Sequence, residues 1–127
     1  MTGTTTASNP GPIALTYKVE VLPDADMQAV YQMTNEMREI ADNHDGTLIW
    51  ETAFAGREGY GYERYRDKTA FLEHLQALEP LFARIAGLWK TTTIVPTTTI
   101  DAEVQAMLLS FGATEVDFVV ESCGTAG

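Results

Sequence analysis

Residues 46–75 constrain this chain more than any other stretch. Two short runs rich in Thr, Ile, Trp, Phe and Tyr flank Gly56-Arg57-Glu58-Gly59. β-Branched and aromatic runs around a short Gly-containing loop predict a β-hairpin. After Asp67 the period changes: Phe71, Leu75, Leu78 and Phe82 recur at helical spacing, and Asp67 suits the N-cap. A hairpin centred on Arg57 pairs Phe54 with Tyr60, Thr52 with Tyr62 and Trp50 with Arg64 on one face. The other face then pairs Ile49 with Tyr65, Glu51 with Glu63 and Ala53 with Gly61. Two carboxylates opposite each other repel, so Glu51 and Glu63 need a cation, solvent or a shared proton. A one-residue slip would reverse the faces of one strand.

The rest of the chain supplies a frame for this hairpin. Residues 1–12 are Thr, Ser, Gly and Pro without apolar period, and read as a disordered tail. Residues 13–22 read as a strand with Ile13, Leu15, Tyr17, Val19 and Val21 on one face. Residues 26–42 read as an amphipathic helix, capped by Asp24 or Asp26. Its Met27, Met33 and Met37 are either core filler or a pliable pocket wall. His44, in the turn that follows, is either a ligand or an exposed loop histidine. Pro80 stops or kinks the helix that begins at Lys68 and can open a further segment closed by Gly87. Residues 88–97 read as a strand in which Trp89, Thr91, Thr93 and Val95 alternate with Lys90, Thr92 and Ile94. Asp101 suits the cap of a short helix closed by Gly112, and residues 114–120 read as a last strand. Residues 121–127 read as a loose tail, where Cys123 has no basic neighbour to activate it. Strand, helix, strand, strand, helix, strand is the order of a ferredoxin-like α+β unit. The domain is expected to span residues 13–120, with the last helix and strand as an appendage.

Composition and missing motifs narrow the function classes. A net charge of −10 argues against nucleic acid and anionic membrane surfaces as partners. No apolar run approaches the ~20 residues that span a bilayer, and no secretory signal is visible, so a cytoplasmic setting is expected. There is no phosphate-binding Gly-rich loop, no metal-ligand spacing and no nucleophile elbow. No cofactor and no metal are therefore expected. His74, three residues after Phe71 on the buried side of its helix, is either a general base or a hydrogen-bonded structural histidine. Trp50, Tyr60, Tyr62 and Tyr65 suit a flat phenolic substrate, or else a packed core or interface. Arg64 is either a cation–π partner of Trp50 or a holder of substrate oxygen. Glu51 and Glu63 are salt-bridged structural acids, or one of them is a buried acid that orients His74. Large apolar groups on both hairpin faces predict a homodimer, since one helical layer covers one face only.

Trp-Glu at 50–51, Tyr-Glu-Arg-Tyr-Arg-Asp at 62–67 and Ala-Phe-Leu-Glu-His-Leu at 70–75 together resemble the antibiotic biosynthesis monooxygenase family. The resemblance implies a ferredoxin-like unit that dimerises into an α/β barrel. It implies a cofactor-independent monooxygenase that oxidises a phenolic, polycyclic, polyketide-like substrate to a quinone with O₂. On this reading His74 is the base, which the resemblance favours, Arg64 or Tyr62 partners the substrate anion, and Trp50, Tyr60, Tyr65, Phe71, Glu51 and Glu63 bind the substrate. A non-catalytic dimeric binding protein and a polyketide cyclase are the alternatives on the same fold.

Overall fold

The computed structural model describes residues 11–113. The predicted strand at 114–120, the tail at 121–127 and all but the last two residues of the tail at 1–12 lie outside the described residues. Strand β1 (Ile13–Val21) leads to helix α1 (Met27–Asp42) and the hairpin strands β2 (Thr47–Ala55) and β3 (Glu58–Tyr65). Helix α2 (Lys68–Leu78), a single 3₁₀ turn (Glu79–Leu81), helix α3 (Phe82–Ala86), strand β4 (Trp89–Pro96) and helix α4 (Ala102–Ser110) follow. The four strands form one antiparallel sheet in the order β2-β3-β1-β4. The ferredoxin-like α+β expectation is met.

Aspartates start three of the helices as their sequence context predicts. Asp26, Asp67 and Asp101 accept from the backbone N–H groups of Gln28, Ala70 and Val104 at 3.3, 2.9 and 2.8 Å. Each such cap is worth about 1 kcal/mol. Lys68 reaches Asp101 at 2.7 Å and Glu103 at 2.6 Å, which ties the first turn of α2 to the start of α4. Pro80 falls in the 3₁₀ turn between α2 and α3, where its missing N–H costs little.

The hairpin register differs from the sequence expectation by one residue. Ala55 pairs with Glu58, so the loop is Gly56-Arg57 alone rather than three residues centred on Arg57. Gly56 has φ +63°, the positive value that a two-residue hairpin with Gly first requires. Arg57 is held from outside the hairpin: its Nη2 donates to the carbonyls of Leu22 at 2.6 Å and Ala25 at 2.8 Å. Phe54 therefore faces Gly59, Thr52 faces Gly61, Trp50 faces Glu63 and Ile49 faces Arg64. Glu51 lies opposite Tyr62, so the expected pair of facing carboxylates does not form. A bulge between Thr47 and Ile49 absorbs Leu48. A second bulge lies in β4, where Val19 pairs with Thr91 and Lys18 with Thr93. Thr92 is the extra residue, and Ile94 rather than Thr93 and Val95 joins Trp89 in the buried core. Strict alternation fails there for that reason.

The helices cover one face of the sheet and build two buried clusters on it. Ile13, Leu15, Tyr65, Phe71, Ile94, Val104 and Leu108 form one, and Val19, Val21, Val30, Met33 and Trp89 the other. Tyr17 packs against both.

Candidate active site

A cavity of about 340 Å³ opens between the sheet and the helices, bordered by residues of both clusters. That is the small end of the ~300–1,000 Å³ range usual for ligand pockets. Its helical walls are apolar except for Thr34 and His74: Met37 from α1, Leu75 and Leu78 from α2, Phe82 and Ile85 from α3, Leu108 from α4. The sheet supplies the remaining polar groups, Tyr17, Trp50, Thr52, Glu63 and Thr91, with Tyr60 at the margin.

His74 is 1% exposed and lines the cavity from α2. Neither ring nitrogen has a hydrogen-bond partner among the described residues, which is costly for a buried imidazole unless something enters to meet it. Its ring lies 5.3 Å from that of Tyr65, tilted by 46°. Burial, and secondarily the nearby His44, pull its pKa down to about 4, so the imidazole is neutral at pH 7. His44 itself is half-buried, with Nδ1 2.8 Å from the Ile40 carbonyl oxygen.

Glu63 faces the same cavity from the middle of the sheet. The Tyr65 hydroxyl donates to its Oε1. The Tyr17 hydroxyl also acts on the carboxyl, and lies 2.6 Å from the Thr52 hydroxyl. The Trp50 indole N–H is near enough to favour the carboxylate, yet it closes no hydrogen bond of normal geometry among the described residues. Loss of water outweighs these donors and pushes the Glu63 pKa up to about 7. Burial and the Glu63 charge raise the phenols of Tyr17 and Tyr65 as well. No Lys or Arg lines the cavity among the described residues.

Of the residues singled out from sequence, the fold brings together His74, Trp50, Phe71 and Glu63 around the cavity, with Tyr65 holding Glu63. It does not bring Arg64, Tyr62 or Glu51 there. The one-residue change of register turns Arg64 and Tyr62 away from the face of Trp50, onto the side of the sheet that no described helix covers, where Glu51 lies by alternation. Tyr60 borders the cavity, but its hydroxyl donates to Glu58 at 2.8 Å and its ring lies under Lys18. Arg64 therefore does not stack on Trp50, whose cross-strand partner is Glu63. Glu63 does not bond His74 either, since both imidazole nitrogens are unpartnered. Tyr17 and Thr52 are functional groups that sequence reasoning passed over. Tyr17 carried a signal, being the only polar-tipped side chain on an otherwise aliphatic strand face.

Among the described residues no three His, Cys, Asp or Glu side chains gather closely enough to hold a metal ion. No described helix is long and apolar enough to cross a membrane.

No protein-family model matches the sequence, and no curated protein sequence matches it either. Solved structures do match in fold. MupZ from Pseudomonas fluorescens is similar with a TM-score of 0.71 and 15% identity, over 91% of this chain and 92% of that one. Rv0793 from Mycobacterium tuberculosis is similar with a TM-score of 0.61 and 22% identity, over 72% of this chain and 97% of that one. SnoaB, a cofactor-independent oxygenase from Streptomyces nogalater, is similar with a TM-score of 0.60 and 9% identity, over 72% and 96%. Strand order, helix placement and these likenesses agree: the chain shares the ferredoxin-like α+β fold of MupZ, Rv0793 and SnoaB.

Proposed function

We propose that this protein is a cofactor-independent monooxygenase that oxidises a polycyclic phenol to a quinone with O₂, working as a homodimer. The observation that carries the reading is His74: a neutral imidazole, both nitrogens unpaired, in a cavity whose other helical walls are almost wholly apolar. A phenol entering that cavity meets an unpaired imidazole nitrogen able to accept its proton. His74 takes the hydroxyl proton, and imidazolium and phenolate then stabilise each other where water is scarce. The electron-rich ring reduces O₂ at the carbon para to the oxygen, which leaves a peroxide on that carbon. Loss of water from the peroxide gives the second carbonyl. One phenol and one O₂ become one quinone and one water. The fold shared with SnoaB supports this chemistry over simple ligand binding.

Oxygen uptake with one-, two- and three-ring phenols tests the reading, alpha-naphthol being the reference probe. Uptake with formation of naphthoquinone is the expected result. His74→Ala and His74→Gln should each lower kcat by roughly 10²- to 10⁴-fold, the usual worth of a positioned proton acceptor. In the native protein kcat/KM should rise with pH through an ionisation at about 4, well below the ordinary imidazole range. No uptake above the rate in buffer for any of these phenols, or undiminished rates in both variants, would remove His74 from the chemistry.

A further inference from the structure

We infer that Glu63 is a second proton-handling residue of this cavity, the acid that protonates the departing hydroxide when the peroxide collapses. This rests on the oxygenase reading above. The collapse needs two proton movements at once. The carbon that bears the peroxide loses its hydrogen as a proton, and that electron pair forms the new C=O bond. The O–O bond breaks, and the outer oxygen leaves as hydroxide, a poor leaving group unless protonated. His74, back in its neutral form after passing its first proton to the peroxide, can take the C–H proton. It cannot supply a proton in the same step, so a separate acid is needed.

Glu63 meets the requirements by position. It projects from the central strand β3 into the cavity, cross-strand from Trp50, and borders the same space as His74. Tyr65 donates to Oε1, and Tyr17 holds the carboxyl from β1. The titratable groups that line the cavity among the described residues are Tyr17, Tyr60, Glu63 and His74, and α1, α3, α4 and β4 add none. Donors surround the carboxyl, but no cation balances it. A protonated carboxyl keeps one O–H to give. Burial carries its ionisation to about 7, so a substantial fraction holds that proton at neutral pH. After turnover the proton on His74 returns to the Glu63 carboxylate through solvent, and both groups are reset.

Glu63→Gln keeps the acceptor for Tyr65 and removes the transferable proton. With alpha-naphthol the native kcat/KM should fall again above an ionisation near neutral, which makes the profile bell-shaped. Glu63→Gln should lower kcat by roughly 10²- to 10⁴-fold and abolish that alkaline limb. Tyr65→Phe removes a donor that favours the carboxylate, so it should move the limb to higher pH. A structural acid would move neither. Independently of turnover, infrared difference spectra of the native protein should show the carbonyl stretch of a protonated carboxyl at pH 6. That band should titrate near neutral and be missing in Glu63→Gln. Full activity of Glu63→Gln with the limb intact, or a band that titrates in the ordinary carboxylate range, would overturn the role of Glu63 and leave His74 standing. Absence of oxygen uptake in the native protein, with the band titrating near neutral, would overturn the oxygenase reading and keep Glu63 as the cavity's acid.

Discussion

His74 and Glu63 share a cavity, and loss of water moves their ionisations in opposite directions, to about 4 and about 7. Each shift also bears on stability. The His74 pKa is lowered from 6.5 on folding, so its contribution is full above pH 6.5 and is lost as pH falls toward about 4. The Glu63 pKa is raised from 4.5, so its contribution is full below pH 4.5 and is lost as pH rises toward about 7. Each swing is on the order of 3 kcal/mol, and where the two windows overlap, between pH 4.5 and pH 6.5, they largely cancel. The native protein should therefore show little net dependence from this pair in the mildly acidic range. Glu63→Gln should grow more stable from pH 4.5 to pH 6.5, and His74→Gln less stable, as read by urea unfolding at a series of pH values. Parallel curves for all three proteins would refute the shifts. His74 was legible in the sequence because helical spacing alone puts it on a buried stripe. Glu63 was visible only as a carboxylate without a settled face.

The faces of β3 depend on one residue of loop length, and that choice is made outside the hairpin. The contacts of Arg57 with the Leu22 and Ala25 carbonyls belong to the β1–α1 connection, which no local pattern in the hairpin encodes. Hence the element order, the aspartate caps and the helix break near Pro80 could be read from sequence, while the allocation of Arg64, Tyr62 and Glu63 could not. The bulge at Thr92 misleads alternation in β4 in the same way. Gly61 shows how closely the elements fit. A Cβ there would lie 2.0 Å from Cζ of Tyr17, in the centre of the sheet. Gly61→Ala must push the Tyr17 ring aside, with loss of its contact with Thr52. The expected cost is about 1–3 kcal/mol in chemical denaturation, the usual range for overpacking, with a displaced alkaline limb in kcat/KM. Unchanged stability and an unchanged pH profile would mean that Tyr17 has room the structure does not show.

Among the described residues, helices cover one side of the sheet and none covers the other. Ile49, Tyr62 and Arg64 lie on that bare side by alternation, half-buried by their neighbours. A second copy of the chain set against this face would give Tyr62 and Arg64 an interface to belong to instead of a substrate. Sedimentation at micromolar concentration should give a dimer. Tyr62→Glu, adding charge to a chain that already carries −10, should give a folded monomer by circular dichroism and sedimentation. A monomeric native protein would count against the dimer.

The cavity divides its work unevenly between layers. The titratable groups come from the sheet and from His74, while Met37, Leu75, Leu78, Phe82, Ile85 and Leu108 on the helices give the space its outline. Volume-conserving exchanges among hydrophobic side chains are the best tolerated of core changes. A lineage built on this chain can therefore diversify the shape of what it accepts by drift on the helices, with its reactivity inherited unchanged.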